Sequence, residues 1–192
     1  MIDRRWLLLV FLLAVRSAYT ATEQPPSSTL AAEQKIEHVQ QNGRQAQPDQ
    51  TPTTFAQKEI NDYVASARVK LPKGVQSVAF SSVPGVITGN ARVDFDQLKE
   101  GRGSANPLLS VFSGVHNVIV VAHAHGAGHI GYVDVDSVSL DAVDIPRFVL
   151  QLFVEKYLRP KYPGVGLNSR FALPDKIDTA VVGANQLTIT QK

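Results

Sequence analysis

The sequence predicts an α+β protein: a curved antiparallel β-sheet wrapped around one long helix in the C-terminal half, with a short helix ahead of the sheet. Three observations carry this expectation. Asp144 to Tyr162 (DIPRFVLQLFVEKYLRPKY) is the longest helix-like apolar stretch after the amino terminus. Ile87 to Asp96 alternates cleanly, with Ile87, Gly89, Ala91, Val93 and Phe95 on one face and polar residues on the other, the pattern of a half-buried antiparallel strand. The apolar face of that strand, like that of a later one ending Ala122, Ala124, is trimmed to small residues, which lets another backbone approach closely.

With 192 residues the chain has room for one ordinary domain and a tail. Residues 1–20 have the parts of a cleaved secretory signal. Arg4 and Arg5 precede the apolar run Trp6 to Val15, which as a helix would span about 15 Å, half a bilayer core. Cutting after Thr20 removes Arg4, Arg5, Arg16 and Asp3 and leaves equal numbers of basic and acidic residues, so nucleic acid is not the expected partner. The chain has no cysteine. That excludes a disulfide framework and a lipid-bearing cysteine anchor, and with the signal it points to a secreted or periplasmic protein of a bacterial envelope, with no membrane span after cleavage. Residues 21–53, rich in Gln, Pro, Ser, Thr and Ala, bury too little to offset the cost of ordering the backbone and read as a flexible spacer. A short helix around Leu30 to Gln41 is compatible with its few apolar residues.

The single domain is expected over 54–192. Thr54 and Gln57 have capping-box spacing for a helix from Phe55 to about Ala67. Pro72 and Lys73-Gly74 separate it from a strand at Val75 to Ser82, and Pro84-Gly85 turns into the alternating strand above. Leu98 to Ser104 reads as a loop. Leu108, Leu109, Val111 and Phe112 form a short apolar segment, either a plug at one end of the core or a flap over a pocket. Val115 to Ala124 and His129 to Leu140 form a hairpin around Gly126-Ala127-Gly128. Its return strand changes parity after Asp136, where Val138 and Leu140 take the phase the acids had held; a β-bulge near Asp136 or Ser137 accounts for this. The long helix follows, Ile145 to Tyr162, opened by Pro146 and closed by Pro160 and Pro163. Arg147, Gln151, Glu155 and Arg159 form its one polar stripe, and the rest is apolar over far more than a third of the circumference. Two strands end the chain, Lys176 to Val182 and Leu187 to Thr190.

Chemistry-bearing clusters are sparse. His123, His125 and His129 gather at the hairpin tip and could offer imidazoles to zinc in a metal-dependent hydrolase, but a glycine-rich tip is also where solvated polar side chains belong. Asp134, Asp136, Asp141 and Asp144 lack the glycine and terminal glutamate of an EF-hand loop and read as a wet strand face. There is no nucleophile elbow, no cysteine and no phosphate-binding glycine loop, so no catalytic residue, metal or cofactor is assigned. What remains is an apolar surplus. If the sheet closes on the helix, Phe148, Leu152, Phe153 and Tyr157 are core. If a gap is left, these residues with Phe95, Leu109 and Phe112 line a groove for acyl chains, each buried methylene contributing about 0.8 kcal/mol.

The element order, from the short capped helix (FAQKEINDYV) through paired strands and one apolar helix to the terminal hairpin (LPDKIDTAVVGANQLTIT), resembles small bacterial envelope phospholipid-binding proteins. These are distantly akin to the tubular lipid-binding fold, in which a bent antiparallel sheet wraps a long helix. The resemblance covers roughly Thr54 to Gln191 and implies lipid binding without assigning residues beyond the helix. The expected function is therefore non-enzymatic binding of a lipid or other apolar ligand in the envelope. The alternative is a structural or protein-interaction module with a closed core that meets an envelope protein.

Overall fold

The computed structural model describes residues 26–66, 68–100 and 105–192. The expected signal, 1–20, the first residues of the expected spacer and most of the 98–104 loop lie outside them. The described chain is dominated by nine antiparallel strands in one sheet: β1 (Thr53–Ala56), β2 (Val75–Val83), β3 (Val86–Asp94), β4 (Val115–Ala127), β5 (Ile130–Leu140), β6 (Val143–Asp144), β7 (Asn168–Ala172), β8 (Ile177–Gly183) and β9 (Gln186–Gln191).

The long strand β4 organises the sheet. On one edge it pairs with β5, from Val118↔Leu140 to Ala127↔Ile130. On the other it pairs first with β3, up to His123↔Val86, and then with β8 through His125↔Val181 and Gly126↔Ala180. The Pro84-Gly85 turn sits where the partner changes. There Gly85 N–H donates to the Val182 carbonyl at 3.0 Å, and its own carbonyl accepts from Ala124 N–H at 3.0 Å. The β4–β5 turn places Gly128 and His129 at φ 59° and 63°, the left-handed pair of a type I′ hairpin. The bulge expected from the parity change is present: Val121 pairs with Ser137 and Ala122 with Val135, leaving Asp136 as the extra residue.

The single long C-terminal helix is not present. Its stretch forms α4 (Arg147–Phe153), seven residues long, which continues as a π-turn over Val154–Leu158. Arg159 N–H donates to the Val154 carbonyl at 2.8 Å. A proline at 160 would clash in α-geometry with the carbonyl four residues back, and the wider turn before it relieves that clash. Nor is this segment surrounded by strands. Val149, Leu150, Phe153, Val154 and Tyr157 are buried, but Phe148 is 59% exposed, so one side faces the sheet and the other faces water. The apolar excess at Phe148 is surface.

The longest helix lies in the segment read as a spacer: α1 (Ser27–Gly43), 17 residues. Ala32, Ile36 and Val39 recur at helical spacing and are buried against Phe55, Tyr63, Ile177 and Ile189. Polar groups fix its far end. Buried Asn42 donates to Asp49 O and to Gln191 Oε1, both at 2.8 Å, and Gln191 Nε2 donates to Val39 O at 2.8 Å and Asp175 O at 2.6 Å. The helix expected from Phe55 starts later, as α2 (Gln57–Ala65). Thr54 and Phe55 belong to β1, and the anticipated capping box is replaced by Glu59, which accepts from Ala56 N–H at 2.9 Å. Thr54 Oγ1 instead meets Thr188 Oγ1 at 3.0 Å across the sheet.

Two separate hydrophobic clusters result. One lies between α4 and strands β3, β4 and β5; the other lies between α1, α2 and strands β8 and β9. Among the described residues no helix is long and apolar enough to cross a membrane.

Replacing Gln191 by Leu removes one hydrogen bond from the buried Asn42 amide and those to the Val39 and Asp175 carbonyls, and loss of a partner by a buried polar group costs about 1–3 kcal/mol. Gln191→Leu should lower the unfolding free energy by that amount, read as a lower urea midpoint at unchanged slope. A midpoint equal to that of the parent chain would mean these bonds do not hold α1 in place.

Candidate functional site

The expected ligand residues converge, but as packed core. Phe95, Phe112 and Phe153 meet with ring centroids 5.4, 5.5 and 4.2 Å apart, and Phe153 lies 5.2 Å from Tyr157. Asp94 caps the short helix α3 (Phe95–Leu98) by accepting from Asp96 and Gln97 N–H, which turns Phe95 inward. A 3₁₀ turn at Pro107–Leu109, capped by Asn106, seats Leu109 and Phe112 at 4% and 1% exposure. This segment is the plug of the two alternatives above. Leu152 packs partly against the cluster, and Phe148 stays outside it.

The histidines separate instead of converging. His123 Nδ1 pairs with Asp136 Oδ2 at 2.8 Å. His125 stacks on Tyr132 with centroids 4.8 Å apart, and the Arg170 guanidinium lies 5.4 Å from the far ring of that pair, Tyr132. His129 Nδ1 reaches the Ile177 carbonyl at 3.1 Å, with Asp178 at 3.8 Å from its Nε2. The aspartates are dispersed as well: Asp134 accepts from Asn168 at 2.6 Å, and Asp141 accepts from Asn117 N–H at 2.9 Å. Among the described residues no group of three or more His, Cys, Asp or Glu side chains could hold a metal ion. On the helix, Glu155 accepts from Gln151 at 2.6 Å, with Arg159 at 3.9 Å, while Arg147 leaves the stripe to donate to the Val135 carbonyl and Asn168 Oδ1, both at 2.8 Å.

Sequence reasoning missed a feature at the partner change on β4, beside the α1–α2 cluster. A shallow apolar cleft, about 650 Å³ when the open solvent at its mouth is counted, is lined by strand and turn residues: Ile87, Ala124, Val133, Phe171, Leu173 and Leu187 among them. Small residues let its walls approach the sheet. Ala124, Gly126 and Gly131 share one face through the pairs Ala124↔Val133 and Gly126↔Gly131. A side chain at Gly131 would meet the Phe171 ring at 2.5 Å, so glycine there lets Phe171 lie across β5 into the cleft wall. His125 and Tyr132 edge the cleft, but strand alternation turns their rings to the opposite face. A smaller, shallow depression adjoins it, sharing Ile87, Val182 and Leu187 and reaching Ile60, Phe80, Gln57 and Gln186. The taper to Ala122 and Ala124 was the one visible signal; the matching glycines on the return strand and the arrival of β8 were not.

The outer sheet face is wet and scattered with apolar residues: Val83, Ile119, Ile130 and Val181 are 58%, 37%, 40% and 58% exposed. Comparison with protein families, curated proteins and solved structures finds no match to this chain.

One histidine carries a pH signature. His116 Nδ1 lies 2.6 Å from Asp141 Oδ2 and its Nε2 lies 2.7 Å from the Ser113 carbonyl. Both ring nitrogens face acceptors, so the doubly protonated ring is favoured. The Asp141 hydrogen bond, then the Ser113 carbonyl, raises the His116 pKa above its ordinary 6.5. The Asn117 N–H, then His116, lowers Asp141 below its ordinary 3.8. The His116 contribution is complete below about pH 6.5 and fades as pH climbs through its raised value; that of Asp141 is present above its ordinary value and fades as pH falls through the lowered one. The melting-temperature gap between the parent chain and His116→Gln should therefore be widest near about pH 5.5 and narrow by about pH 9. A gap independent of pH would show that the imidazolium is not held there.

Proposed function

We propose that this chain is an exported, non-enzymatic protein that binds a lipid or other apolar ligand in the cell envelope, holding an acyl-type chain in the cleft at the seam of the sheet. The cleft carries the reading. Its lining is apolar with a few polar groups at the edges, the make-up of small-molecule sites. Export is supported by Arg4, Arg5 and the Trp6–Val15 run. The clustered aromatics first expected to line a groove serve the reading indirectly, as the core against which β3, β4 and β5 are braced. The exposed apolar residues of the outer face favour a second reading, an interaction module that meets an envelope protein there.

Filling the cleft separates these readings. Ala180 lines it, and Ala180→Leu should weaken binding of an environment-sensitive acyl probe at least tenfold while the protein stays folded. Phe171→Ala, which removes wall area without overpacking, should weaken it by about tenfold, since a buried large apolar side chain is worth about 1.5–3 kcal/mol. Phe153→Ala should behave differently, costing about 3–5 kcal/mol of stability and leaving probe affinity of the folded fraction unchanged. Probe binding unaffected by both cleft variants would remove this reading in favour of the outer face.

A further inference from the structure

We infer that the ligand is a single-chain amphiphile with an uncharged polar end, such as an acyl ester, acyl amide or long-chain alcohol, taken in preference to an ionised fatty acid or a phospholipid. This rests on the cleft being the binding site. The cleft and the adjoining depression share Ile87, Val182 and Leu187, so together they form one track from Phe171 and Leu173, past Leu187, to Ile60 and Phe80. Two shallow depressions adjoining in this way suit one extended chain. No Lys, Arg, Asp or Glu lines either part of it. An anionic head drawn against these walls would lose its water and gain no counter-charge, which is strongly unfavourable.

Apart from His125 and Tyr132, whose rings turn to the opposite face, the polar groups that line the track gather at its Ile60 end and are neutral: Gln57, Ser81, Ser82 and Gln186. Gln57 Oε1 accepts from Ser82 N–H at 3.1 Å, which turns its amide so that the NH₂ remains to donate. Ser82 Oγ is already committed to the Gly183 carbonyl at 2.9 Å. The Gln186 side chain makes no hydrogen bond with any other described residue, and it lies at the β8–β9 turn beside Gly183. Two amide groups at one end of an apolar track can donate to an ester or amide carbonyl and accept from a hydroxyl. They supply hydrogen bonds without charge, which matches a neutral head.

The test is displacement of a bound fluorescent acyl probe from the full chain at about pH 8, where a fatty acid in water is ionised. Competitors are monolauroylglycerol, laurate and lauroyl-lysophosphatidylcholine, which share one acyl chain. Monolauroylglycerol should displace the probe at a concentration at least about tenfold lower than either of the others. Gln186→Leu should weaken monolauroylglycerol about fivefold or more and narrow its advantage over laurate. Laurate or the lysophospholipid binding as tightly as monolauroylglycerol would overturn the inference and leave the cleft as an apolar site. An unchanged monolauroylglycerol affinity in Gln186→Leu would overturn the neutral-head contact. Failure of every amphiphile and of the probe to bind would instead remove the proposed function itself.

Discussion

The structure depends on one constraint: a strand has only two edges, and β4 must serve three partners. Its thirteen residues pair with β5 along one side and are divided on the other between β3 and β8. The division falls at the Pro84-Gly85 turn, where β3 has ended and β8 has only begun. Each half of the sheet then needs its own helical cover, because one short helix cannot lie over both halves of a sheet that changes partner and twists. The α4 segment covers one half and α1 with α2 covers the other, and the two clusters share no residue. The cleft opens beside the partner change, lined by strand and turn residues, and borders the α1–α2 cluster through Leu173, Ile177, Ala180, Leu187 and Ile189. It follows from the pairing pattern, and the glycines on β4 and β5 admit Ala180, Leu173 and Phe171 as its walls.

Local pattern made the sheet legible and left the helices misjudged. The alternation in β3 specified its faces, and the parity switch after Asp136 located a bulge that the register contains, because side-chain period is a local property that survives folding. The Asp144–Tyr162 stretch was misjudged because an apolar run records how much surface must be buried and not how the backbone is arranged. A proline at 160 and an exposed Phe148 divide that run into a short helix, a π-turn and surface. The opposite error befell α1. Its Ala32, Ile36 and Val39 form too thin a stripe to predict burial alone. What holds its far end is a bond between Asn42 and Gln191, 149 residues apart in the chain, a pairing no sequence window contains.

The expected groove and the observed cleft differ for a related reason. Phe95, Leu109, Phe112, Phe153 and Tyr157 do come together, so the sequence marked out where large apolar side chains accumulate. Large side chains that accumulate tend to fill space, with rings at contact distance. Where side chains are missing, other segments close in. At Gly126 and Gly131 the sheet presents only backbone, and Ala180, Leu173 and Phe171, from elements distant in sequence, pack onto it and become the cleft walls. A row of small residues in phase on two hairpin strands is therefore a sign of where other segments approach the sheet closely.

The charged groups support this division of roles between the two faces of the sheet. The histidines that could have done chemistry are each taken by a local partner: on the outer face His123 by Asp136 and His125 by the Tyr132 ring, at the turn His129 by Ile177 O and Asp178, and in phase with the inner face His116 by Asp141. Each contact ties β4 or its turn to a neighbouring segment, so the imidazoles brace the same hairpin whose inner face forms the cleft floor. Cross-strand pairs of this kind contribute modestly one by one, but they fix the register on which the alignment of Ala124, Gly126 and Gly131 depends. A slip of one residue would turn His123 and His125 inward and close the seam with polar rings. The polar outer face and the apolar cleft are thus two consequences of a single register, and whatever occupies the cleft is selected by a strand pairing that histidine–aspartate contacts help to hold.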